Sequence, residues 1–177
     1  FRIEMIGSGE MEPRLRQLAS EAGLLDTNIQ FLGAMSPEDV RRHMEKAGIY
    51  LFTSDRQEGW GAVLNEAMNS GCAVVAGDAA GATPFLVQDG ANGSVYHSGD
   101  VQELYEKVRR LLDDPSTQRE FGSAAYRTIT GLWNAETAAE RFLQLSQALL
   151  DGRDATKLFA DGPCSPASLL REDWYRK

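Results

Sequence analysis

The chain has 177 residues, 42% of them apolar and 25% charged, which is the make-up of one ordinary globular domain with a sizeable core. Eighteen Lys and Arg stand against 26 Asp and Glu, and a net charge of −8 excludes a general nucleic-acid or anionic-membrane surface. No apolar run approaches the roughly 18–20 uncharged residues of a membrane span, and two distant cysteines with two histidines make no zinc pattern, so no metal site is expected.

Phe1 to Ile6 reads as a strand, and Gly7-Ser8-Gly9 as the tight turn after it. Position 12 of that turn is Glu where a dinucleotide fingerprint needs a third glycine, so the motif is a β–α turn and carries no NAD expectation. Glu10 to Ala22 follows as a helix with Gly23 past its end, then a strand over Ile29–Leu32. Ser36 and Pro37 open a helix to about Lys46. Ile49 to Phe52 is a buried strand, and the loop Thr53–Glu58 leads to a helix from about Trp60 to Asn69. Gly71 closes that helix, and Ala73 to Ala76 is the next strand.

After a turn near Thr83-Pro84, Gly93 to Tyr96 forms a last weak strand. Asp100 with Glu103 is a capping box for a helix to about Leu112, and two helices follow, near Pro115–Thr130 and Ala135–Leu150. Strands alternating with helices define a doubly wound α/β fold: a Rossmann-like parallel sheet with helices on both faces, then C-terminal helices and a tail. Residues 1–150 form the expected domain, and 151–177 the tail. The tail is charge-balanced, with five basic and five acidic residues, so the whole excess of −8 belongs to 1–150. His43 and His97 are expected at the surface, with no role as a base.

Ligands of such sheets sit outside the carboxyl ends of the strands, which directs attention to the loop at 53–61. Glu58-Gly59-Trp60-Gly61-Ala62-Val63 ends in a helix start whose unpaired amides, at about 60–63, and dipole favour an anion. Glu66 lies eight residues beyond Glu58, roughly 12 Å along a helix axis. That is too far for a shared-water acid/base pair, but it suits a ligand with hydroxyls at both ends and a diphosphate between them, as in a nucleoside-diphosphate sugar. On spacing alone, two glutamates on a solvated helix would look the same.

The wider string separates these readings. Glu58-Gly-Trp-Gly, Glu66-Ala-Met, Gly71-Cys-Ala-Val-Val-Ala and Asp89-Gly90-Ala-Asn92-Gly93 together resemble the donor-binding half of the family 4 retaining glycosyltransferases of GT-B fold, in register from residue 1 to about 150. The resemblance implies hexose transfer from a UDP-, GDP- or ADP-sugar with retention of configuration and no divalent metal. Glu58 would act at the hexose as the catalytic carboxylate, Glu66 would hold the ribose hydroxyls, and Gly59, Trp60, Gly61, Ala62 and Val63 would complete the donor site. Two departures stand out: Ala73 where the family has Pro, and Ala80-Gly81 where it has a Gly-Gly pair.

The resemblance also implies parts outside this chain: a preceding βα unit that gives Arg and Lys to the diphosphate, and a domain that binds a sugar, glycan or glycolipid acceptor. The chain is therefore expected to be a fragment or truncated form, inactive alone. The tail holds Leu158, Phe159, Leu169, Leu170, Trp174 and Tyr175 and would dock, through Trp174 and its neighbours, on the absent half; packing on this domain is the alternative. A cytoplasmic protein is implied, with any attachment to the inner face of a membrane made through that half. A GT-B sugar-nucleotide epimerase and a nucleotide-binding or interaction module without catalysis are the alternatives.

Overall fold

The computed structural model describes residues 1–167. Two compact units divide the chain, Phe1–His43 and the residues from Met44 onward.

The first unit is a βαβ motif. Strand β1 (Ile3–Ile6) pairs in parallel with β2 (Ile29–Gly33) through helix α1 (Glu12–Glu21), and α2 (Pro37–Met44) follows, running to the start of the second unit. Ser36 caps α2, its Oγ accepting from the Asp39 N–H at 3.2 Å. His43 is half-buried, with Nδ1 2.6 Å from Glu4 Oε2.

The second unit is built on a parallel sheet in the order β3 (Ile49–Phe52), β4 (Ala73–Gly77), β5 (Ser94–Tyr96). Helix α3 (Ala62–Asn69) connects β3 to β4, and the single turn α4 (Thr83–Leu86) lies between β4 and β5. Helices α5 (Val101–Asp113), α6 (Pro115–Gly131) and α7 (Ala135–Leu150) complete it. Every residue of β4 is buried, as its unbroken apolar run requires of a central parallel strand. Ala73 and Val75 pack with Tyr96, Leu111 and Phe121 as the core, with Ile49, Leu104 and Val108 against it.

Short polar caps set the helix ends. Asp100 accepts from the Glu103 N–H, Asp114 from those of Ser116 and Thr117, and Asn134 from that of Thr137. The return bond of the expected capping box goes elsewhere: Glu103 Oε2 accepts from the His97 N–H at 2.8 Å.

The parallel α/β architecture is therefore the one expected, with most boundaries within a residue or two. The helix after the 53–61 loop differs in a way that matters, beginning at Ala62 instead of Trp60. Within the tail, Phe159 to Pro163 is fastened to α7. The Arg141 guanidinium lies 4.7 Å from the centre of the Phe159 ring and donates to the carbonyls of Asp161 and Pro163. Phe159, one of the six apolar tail residues behind the docking expectation, thus packs on this unit, whereas Leu169, Leu170, Trp174 and Tyr175 lie outside the described residues. No helix among the described residues is long and apolar enough to cross a membrane.

Candidate functional site

The carboxyl ends of β3, β4 and β5 converge. A Cβ on Gly77, the last residue of β4, would lie 3.3 Å from the Tyr96 hydroxyl and 3.4 Å from the Ser54 carbonyl, so the loop leaving β3 passes directly over this edge. It then folds on itself at Asp55, whose carboxylate accepts from the Gln57 N–H at 2.8 Å and whose carbonyl accepts from the Glu58 N–H at 3.0 Å. Thr53, Ser54, Asp55, Gln57 and Glu58 line an open depression there.

Glu58 is exposed on the wall of that depression, and its Cγ lies beside Gly61. Gly61 is the cap residue of α3, in the left-handed region at φ 84°, and a Cβ on it would run into the Phe52 ring. A residue in that conformation cannot belong to the helix, which is why α3 starts two residues later than the sequence suggests. No side chain caps it, and its first turn holds no acidic residue. The Leu64 N–H bonds the Gly61 carbonyl at 2.9 Å. The N–H groups of Ala62 and Val63 have no intrahelical acceptor, so the anion-attracting end narrows from the expected 60–63 to these two.

Glu66 is exposed on α3, one turn further along. Its charge is felt at Tyr50 on β3, whose phenol is held above its usual range by burial first, then by Cys72 and Glu66.

Gly59 and Trp60 are also exposed, but Trp60 is anchored. Its Nε1–H donates to Asn65 Oδ1 at 2.8 Å, and its carbonyl accepts from the Ala82 N–H at 2.9 Å. Its ring stacks on Phe85 at 5.7 Å between centroids and meets Trp133 at 5.8 Å. Neither Phe85 nor Trp133 was singled out by sequence, because no local spacing links positions 60, 85 and 133.

His97 corrects the expectation of a surface residue. It stands just past β5 with its side chain 19% exposed, and Nδ1 is 2.7 Å from Oδ2 of Asp78, just past β4. Asp78 Oδ1 accepts from the Ser98 N–H at 2.8 Å, so this carboxylate ties the two strand exits together.

Glu58 and Glu66 thus stand on either side of an uncapped helix start at the carboxyl edge of the parallel sheet. The chain belongs to the glycosyl transferases group 1 family, whose model matches residues 1–128. Among curated relatives it is 31% identical, over 83% of its length, to a GDP-mannose-dependent monoacylated alpha-(1-6)-phosphatidylinositol monomannoside mannosyltransferase of Corynebacterium glutamicum. It is 30% identical, over 84% of its length, to sulfoquinovosyl transferase SQD2 of Arabidopsis thaliana. It covers only 39% and 28% of those two proteins.

Among solved structures, Anabaena Alr3699/HepE in complex with UDP superposes with a TM-score of 0.72 at 25% identity, over 83% of this chain and 41% of that one. The C-terminal domain of the Francisella tularensis glycosyl transferase LpcC superposes with a TM-score of 0.63 at 28% identity, over 69% of this chain and 62% of that domain. The fold is GT-B Rossmann-like, and the family is that of the group 1 glycosyl transferases.

Proposed function

We propose that this chain is the donor-binding half of a retaining hexosyltransferase of family 4 that uses a nucleoside-diphosphate sugar. The observation that carries the reading is the placement of Glu58 and Glu66 on either side of the uncapped start of α3. Glu66 accepts the ribose hydroxyls, Ala62 and Val63 donate their N–H groups to the diphosphate beside Gly61, and Glu58 faces the hexose, with Gly59 and Trp60 shaping the wall.

Departure of the nucleoside diphosphate develops negative charge on its β-phosphate while the sugar becomes oxocarbenium-like. Fixed amide dipoles at Ala62 and Val63 stabilise the first without reorganising, and the Glu58 carboxylate favours the second. No divalent metal is required in this scheme. The acceptor, a sugar, glycan or glycolipid, binds a domain outside this chain, and the fragment alone is inactive. A cytoplasmic enzyme, held at the membrane only through that other domain, fits this arrangement. GDP-mannose dependence in the corynebacterial relative and UDP in the Anabaena complex support a nucleotide-sugar donor and leave the base open among UDP, GDP and ADP.

Titration of the chain with UDP, GDP and ADP in the presence of a chelator, followed by amide NMR, tests this. At least one is expected to shift the amides of Gly59 to Glu66. Silence from all three at millimolar concentration would overturn the reading.

A further inference from the structure

Trp60, Phe85 and Trp133 come from three distant segments and meet at the surface: Trp60 is 40% exposed and Phe85 37%. The third side of the triangle, Phe85 to Trp133, is an edge contact at 6.5 Å. None of the three belongs to the core around Ala73, Val75 and Tyr96. Large rings gathered outside a core, with Trp60 flanked by glycines in a loop without regular structure, have the loop as their evident beneficiary. Ordering such a segment costs more backbone entropy than ordering any other, and contacts to a rigid frame must offset it.

The frame is rigid for a reason that the Asp89-Gly90-Ala91-Asn92-Gly93 motif supplies. Asn92 is 6% exposed, and its Nδ2 donates to the Leu86 carbonyl at 2.9 Å and to Thr128 Oγ1 at 3.0 Å, while its Oδ1 accepts from the Gln88 N–H at 2.7 Å. One side chain thus fastens the end of α4 to α6. Phe85 is the neighbour of Leu86, and the Trp133 N–H donates to the Thr128 carbonyl at 3.1 Å. The two rings that hold Trp60 are therefore set relative to one another by Asn92.

We propose that Phe85 and Trp133 are positioning residues for the donor loop, held in place by Asn92, and that through Trp60 they keep Gly59–Gly61, and with it Glu58, in the orientation that meets the donor sugar. The part concerning the sugar rests on the function proposed above; the part concerning loop order does not.

Hydrogen–deuterium exchange on the 177-residue chain tests loop order without any ligand. Trp133→Ala is expected to speed exchange about tenfold at the two amides that hold the loop, Glu58 N–H on the Asp55 carbonyl and Ala82 N–H on the Trp60 carbonyl, while leaving β4 protected, and Trp133→Phe to restore the slow rate. Phe85→Ala serves as the second variant should Trp133→Ala not fold. Unchanged exchange at Glu58 and Ala82, or a uniform increase across the second unit, would overturn the proposal.

Binding then tests the link to the sugar, by titrating UDP with UDP-glucose, GDP with GDP-mannose and ADP with ADP-glucose. Trp133→Ala is expected to weaken the sugar nucleotide about tenfold and its nucleoside diphosphate less than twofold. Equal weakening of both would show a general structural effect and overturn the positioning of Glu58. Wild-type protein that binds none of the six would overturn the proposed function and with it the role toward the sugar, leaving the loop result to stand or fall alone.

Discussion

Gly81 lies so close to the carbonyl of Gly59 that a Cβ on it would overlap that oxygen, and the next residue, Ala82, donates its N–H to Trp60. The loop after β4 and the loop after β3 are in backbone contact here. Of the Ala80-Gly81 pair, it is the second position that meets the other loop. Ala80 is fully buried and accommodated.

Gly81→Ala is accordingly expected to push the Gly59–Gly61 backbone aside and to destabilise the chain by about 1–3 kcal/mol, the usual cost of overpacking. Thermal unfolding measures the loss, and amide shifts at 58–62 locate it. An Ala variant as stable as wild type with unmoved loop amides would show that the contact is slack.

The two carboxylates are expected to separate by role. Glu66→Ala should weaken nucleoside-diphosphate binding by about 1.5–3 kcal/mol, the range for a hydrogen bond to a charged acceptor. In a protein that also carries the acceptor domain, Glu58→Gln should lower turnover far more than nucleotide affinity, since its charge counts most as the sugar becomes cationic. Collapse of nucleotide affinity with turnover preserved at saturation would reverse the assignment.

Acid stability should depend on Asp89. Partial burial opposes its ionisation, but the Val95 N–H at 2.8 Å and the Lys107 ammonium at 2.9 Å outweigh it and hold its carboxyl below the usual range. A depressed pKa contributes stability above the unfolded value, near 4, and that contribution fades as pH falls through the lower folded value. Asp89→Asn should therefore cost stability at pH 7, by about 1 kcal/mol or less for so exposed a side chain, and less at about pH 3, below the unfolded value. Urea unfolding at the two pH values checks it; an equal loss at both would assign the effect to packing.

Cys72 should be inert as a thiol. Burial pushes it up to about 11, and its Sγ donates to the Met44 carbonyl at 3.1 Å. At pH 8 a thiol reagent is expected to label the less buried Cys164 in the native chain and to reach Cys72 only on unfolding. Two equivalents reacting at the same rate would contradict this.

The sequence by itself determined the order of elements, because strands, caps and helix faces are written within a few residues of one another. Strand Ile49–Phe52 is found where its apolar run places it, and the helix opened by Asp100 starts where that cap residue places it. It also determined the family, through a string around Glu58 and Glu66 that is contiguous in the chain.

Tertiary structure decided what that string looks like in space. The start of α3 moved from Trp60 to Ala62 because Gly61 takes a left-handed conformation over the Phe52 ring. Trp60 became an anchored ring because Phe85, Trp133 and Ala82 reach it, and His97 left the open surface because Asp78 stands at the neighbouring strand exit. Those partners lie 19 to 73 positions apart in the chain. Residues so far apart meet only once the sheet has brought the carboxyl ends of its strands side by side, and no local periodicity records such a meeting.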